Sequence, residues 1–150
     1  MEQPVAAAVA AAREVAGKLT RPVAETLALL DGAVAAAARP SLAPPELNRR
    51  LGEGWVAPEA LAIGVCAALR AEAEHPGAEG DQAAFRRAVG MAVAHDGDSD
   101  STGAVAATVT AAVRGTGALP ERWLALLDAR EVLAEAAGRW LTEVGAPPGA

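Results

Sequence analysis

The chain has 150 residues, a formal net charge of −6, one cysteine, no tyrosine, and only Trp55, Phe85, Trp123 and Trp140 as aromatics. The length suits a single domain over residues 1–150. The negative charge argues against nucleic acid as a partner, because a phosphate backbone is repelled. With Cys66 alone, neither an internal disulfide nor a cysteine zinc cluster can form, which fits a reducing, cytoplasmic setting.

A core drawn mainly from Ala, Val and Leu suits closely approaching helices better than stacked sheets, whose strands favour β-branched and aromatic residues. The Ala-rich stretch from Val5 to Ala12 follows Glu2 rather than a basic segment and is interrupted by Arg13-Glu14, so it does not read as a signal peptide. No apolar run approaches the roughly 20 residues that a membrane span needs.

In chain order, Val5, Val9 and Ala12 form one stripe of a first helix ending near Gly17. Pro22 is placed to open a second, with Val23, Leu27, Leu30 and Val34 on its buried face. Pro40, Pro44 and Pro45 mark a break. After Gly52-Glu53-Gly54-Trp55, Pro58 and Glu59 suit a first helical turn, and Leu61, Val65 and Leu69 predict a mostly buried helix that includes Cys66. Glu72 to Gly80 reads as a polar loop, after which Asp81 is placed to cap a helix carrying Phe85, Val89 and Val93. Val105, Val109 and Val113 predict another helix, the spacing and the intervening alanines outweighing the strand preference of Val and Thr. Pro120-Glu121 starts a short helix. Asp128 with Glu131 resembles a capping box before a last helix with the ladders Val132, Ala136, Trp140 and Leu133, Ala137, Leu141.

Between the Phe85 and Val105 helices lies His95-Asp96-Gly97-Asp98-Ser99-Asp100-Ser101-Thr102. Alternating carboxylates followed by hydroxyls concentrate the oxygen donors that hard divalent cations take. Two carboxylates about 5–6 Å apart repel by roughly 3 kcal/mol at an effective dielectric of 20, and by under about 1 kcal/mol when hydrated. A helix N-terminus returns only about 0.3–1 kcal/mol per charge. A semi-buried cluster therefore requires a cation, whereas an exposed one does not, and an ordinary solvated loop capped by Asp100 or Ser101 stays open as the alternative. A calcium loop of the EF-hand kind fails, because its sixth position is Ser101 rather than Gly and its twelfth Ala107 rather than Glu. A His-Asp metal phosphohydrolase would have to draw on His75, which lies in a His-Pro-Gly loop.

The segment from His95 to Gly103 resembles the C-terminal metal motif of the ADP-ribosylglycohydrolases, the class that includes the dinitrogenase-reductase-activating enzyme. Gly52 to Ala62 is similar to that family's glycine-tryptophan stretch and Leu119 to Leu124 to its downstream helix start, so the resemblance is strongest over residues 51–141. It implies an all-α, orthogonally packed multi-helix domain, of which this chain would be the C-terminal half. It further implies a hydrolase that uses two Mg²⁺ or Mn²⁺ ions to cleave the N-glycosidic bond joining ADP-ribose to an arginine side chain, or a related linkage. Asp98, Asp100 and Ser101 match the family's metal ligands. Gly52, Gly54 and Trp55 would lie near the ADP-ribose cleft, with Trp55 either stacking there or anchoring the core, and no residue is marked as general base. Asp96 departs from the pattern, standing where the family usually has Ser or Gly. No Thr-Asp-Asp or Ser-Asp-Asp occurs before Asp96, so the family's N-terminal metal run is expected from a complementary half or partner. The alternatives are a non-catalytic helical interaction module, prone to self-association, and a truncated product.

Overall fold

A computed structural model describes residues 4–19, 23–77 and 80–145, and every regular element among them is helical. The order is α1 (Pro4–Ala16), α2 (Ala24–Ala37), α3 (Pro44–Leu51), α4 (Ala57–Glu74), α5 (Asp81–Val93), α6 (Ser99–Arg114), a 3₁₀ turn (Thr116–Ala118), α7 (Glu121–Leu124) and α8 (Arg130–Glu143). No helix among the described residues is long and apolar enough to cross a membrane.

The contacts divide the chain into two compact units, residues 1–118 and 119–150. In the first, α4 is the axis. It packs against α2, α5 and α6, and it buries Ile63, Val65, Cys66, Leu69 and most of its alanines. One core cluster joins Val5 and Val9 of α1, Leu30, Ala33 and Ala36 of α2, and Leu47 and Leu51 of α3 to the α4 residues Ala62, Ile63 and Cys66. The seam of α4 with α5 and α6 is mostly alanine: Ala67 meets Ala92 and Ala106, with Met91 packed against them, and Ala71 meets Ala84 and Ala88. Each alanine buries little area, but the short side chains let three helix axes approach closely and keep every contact filled. Gly64 completes the seam, since a Cβ there would lie 2.5 Å from Val105 Cγ1. Burial of Cys66 pushes its thiol up to about 12, far from the reactive range.

Several sequence expectations shift for physical reasons. The proline break is itself a helix start: Pro44 and Pro45 occupy the first turn of α3, where a missing N–H costs nothing. Pro22 lies outside the described residues, and α2 follows Val23 with Leu30, Ala33 and Ala36 as its buried face. The loop begins at His75 rather than Glu72, because α4 continues to Glu74 and buries Glu72, whose Oε1 accepts the Val5 N–H at 3.3 Å. Asp81 caps nothing with its side chain; it is the first residue of α5, and its Oδ1 takes the Arg114 guanidinium at 2.7 Å. On α5 the buried face is Ala84, Phe85, Ala88 and Ala92, while Val93 is exposed. In the second unit Ala129, not Asp128, precedes α8, no side-chain cap forms, and no residue of α8 is buried.

Candidate functional site

The site is built where two loops of the first unit meet. The turn 94–98 joins α5 to α6. Asp98 is the N-cap of α6 and its Oδ1 accepts the Ser101 N–H at 3.4 Å, a long bond that still meets one of the helix's open donors. The cap is therefore Asp98 and neither Asp100 nor Ser101. Opposite it, the Gly52–Val56 loop enters α4. Glu59, in the first turn of α4, reaches back so that its Oε2 accepts the Glu53 N–H at 3.2 Å and the Gly54 N–H at 3.1 Å. Gly52 and Gly54 have φ of 91° and 86°, the left-handed region that glycine adopts without strain. Gly54 is also constrained from outside, since a Cβ there would lie 2.6 Å from Thr102 Cγ2.

One backbone bond locks the loops together: the Asp98 N–H donates to Glu53 O at 2.8 Å. Gly97 makes this approach possible, because a Cβ at that position would overlap Glu53 O. The glycine-tryptophan loop and the acidic turn thus form one surface, although about 40 residues of sequence separate them.

Of the residues expected to act there, Asp98 and Ser101 are half-buried and Asp100 and Asp96 are exposed. Hydrogen bonding with the Asp100 carboxyl, and then with Ser101, holds the Asp98 carboxyl below the ordinary carboxylate range. Trp55 is 66% exposed, so it is no core anchor; its Nε1–H donates to Glu53 Oε2 at 3.1 Å, which fixes the ring edge and leaves the faces open. His75 and His95 do not come together in a metal-binding group, and among the described residues no three or more His, Cys, Asp or Glu do so. The donors fit a hard cation in kind, being all oxygen, and are partial in number.

Sequence reasoning did not assign Glu53 or Glu59 a part in the site, and it counted the Thr102 hydroxyl only among the oxygen donors, whereas that hydroxyl is buried and bonded to Ala92 O and Asp98 O. Glu59 had a local signal, an acid in the first turn after Pro58. The bond of Glu53 O to the Asp98 N–H and that of Thr102 to Ala92 O arise from tertiary approach.

No curated protein and no solved structure gives a significant match. The sequence model of one family, ADP-ribosylglycohydrolase, matches residues 1–149 and so takes in both the acidic turn and the glycine-tryptophan loop. With that match running almost end to end, the chain belongs to the ADP-ribosylglycohydrolase family.

Proposed function

We propose that this chain provides one wall of a divalent-metal site for cleaving the N-glycosidic bond between ADP-ribose and an arginine side chain, as in enzymes of the dinitrogenase-reductase-activating type. Family membership supports glycohydrolase activity in general. The observation that carries the finer reading is the clasp between the acidic turn and the Trp55 loop through Asp98 N–H and Glu53 O.

Asp98, Asp100 and Ser101 would hold Mg²⁺ or Mn²⁺, and the remaining ligands would come from a complementary N-terminal half. Such ions, when bound, orient ribose hydroxyls and water and stabilise charge as the glycosidic bond breaks. The chain's own residues do three things in this reading. The carboxylates supply negative charge that only a cation reconciles with a diphosphate, since an acidic surface on a chain of net charge −6 otherwise repels ADP-ribose. Gly52 and Gly54 shape the loop so that its backbone stays close to the turn. Trp55 presents an indole face on which a base or sugar can stack. The buried thiol of Cys66 fits a reducing, cytoplasmic setting.

Release of ADP-ribose from an ADP-ribosyl-arginine peptide in excess Mn²⁺ tests the proposal. Hydrolysis by the chain reconstituted with the complementary half, reduced to background by Asp98→Asn with Asp100→Asn, is expected; equal hydrolysis by the double variant would remove the site assignment. No release by the reconstituted, unsubstituted chain would favour a second reading, a non-catalytic interaction module. That reading has its own support in α8, whose Val132, Leu133 and Trp140 are 67%, 57% and 63% exposed and suit self-association or a complementary partner. Sedimentation that stays monomeric at every concentration would count against self-association.

A further inference from the structure

A histidine in a connecting turn is usually solvated, yet His95 is only 8% exposed, and both of its ring nitrogens are engaged. Nδ1 accepts the Gly97 N–H at 3.0 Å. A backbone N–H can only donate, so Nδ1 carries a lone pair and the ring is neutral with its proton on Nε2. Nε2 lies 3.1 Å from Thr102 Oγ1 and therefore donates to it. Thr102 is fully buried, and its hydroxyl in turn lies 2.8 Å from Ala92 O and 2.9 Å from Asp98 O, where its single proton is given.

Thr102 thus ties the end of α5 and the N-cap of α6 together, and His95 is the strut between that hub and the turn. The two peptide N–H groups on either side of Gly97 each make one bond, the Gly97 N–H to the imidazole and the Asp98 N–H to Glu53 O. Of these two N–H bonds only the first depends on a side chain.

We propose that His95 is a positioning residue: by accepting the Gly97 N–H while anchored on Thr102, it sets the turn that presents Asp98 and Asp100. This rests on the metal reading above. A role in packing alone and a role in positioning differ in which nitrogen matters. In His95→Gln the side-chain amide can reach Thr102 but has no acceptor near the Nδ1 position. In His95→Asn the carbonyl oxygen falls near the Nδ1 position and keeps an acceptor for the Gly97 N–H, while the bond to Thr102 is lost.

The experiment pairs nitrogen NMR of the ring and Gly97 amide exchange, both read without metal, with Mn²⁺ titration of the full chain. The expected ring is the neutral Nε2–H tautomer. Gly97 protection is lost in His95→Gln and retained in His95→Asn. Mn²⁺ affinity falls by about 10–100-fold in His95→Gln, the usual effect of losing a group that orients metal ligands, and is largely rescued in His95→Asn. An Nδ1–H or doubly protonated ring overturns the proposal, as does a loss of affinity that follows the Thr102 bond rather than the Gly97 bond. Absence of Mn²⁺ binding by the unsubstituted chain, with the tautomer and protection pattern as expected, overturns the metal reading and with it the positioning of ligands. Retained binding with the wrong tautomer overturns the role of His95 alone.

Discussion

Gly97 carries the closest approach in the site, its Cα set against the carbonyl of Glu53. Gly97→Ala forces two backbone segments apart, because neither side of the contact is a flexible side chain. Overpacking of this kind costs about 1–3 kcal/mol, and urea unfolding of the variant is expected to show a loss in that range. An unchanged midpoint would mean that the loops are not clasped. At this scale the sequence displayed the chemistry but not the support. The alternation of Asp96, Asp98 and Asp100 is visible in any reading of the chain, and so is the tryptophan after two glycines. The acceptance of the Asp98 N–H by Glu53 O is a backbone event between distant positions, and no residue type announces it.

Helices α4 and α5 are joined at the surface by Glu74 and Arg87, with Arg87 Nε at 2.5 Å and Nη2 at 3.1 Å from the carboxylate. The hydrogen bond from Arg87, followed by the charges of Arg87 and Arg70, holds the Glu74 carboxyl below its ordinary value of 4.5. A depressed carboxyl binds protons more readily in the unfolded chain, so its stabilisation is present above about pH 4.5 and is lost as pH falls through the lower folded value. The pair is partly exposed, which limits the contribution to under about 1 kcal/mol. Glu74→Gln is therefore expected to lower stability slightly at pH 7 and to shrink the difference from the parent below pH 4, measured by thermal unfolding across pH. A difference that grows on acidification would contradict the assignment. Helix type was legible because valine and leucine recur at helical spacing, as in Val105, Val109 and Val113. Burial was less so: on α6 the fully buried residues are Thr102, Gly103, Ala106 and Thr110, since a core of close-packed axes selects small side chains over large ones. The missed helix α3 has the same lesson in another form, for a proline pair reads as a break until the chain after it is seen to bury Leu47 and Leu51.

For the whole molecule, the two compact units have different characters. The first closes its own core around α4, whereas α8 in the second buries no residue although its apolar ladders have helical spacing. A helix with an apolar face and no burial gains little stability from packing, so the second unit is the part of the chain best suited to a partner surface. The acidic turn shows the same partial character, with oxygen donors suited to a cation but fewer than two octahedral ions take up. Both features are what the proposal draws on, in which the chain would contribute part of a glycohydrolase site. Calorimetric titration of the full chain with Mn²⁺, set beside Asp98→Asn with Asp100→Asn, tests that account most directly. It predicts measurable binding, weaker than at a complete two-ion site, that disappears in the double variant; binding that is absent from the unsubstituted chain or unchanged by the two substitutions would contradict it.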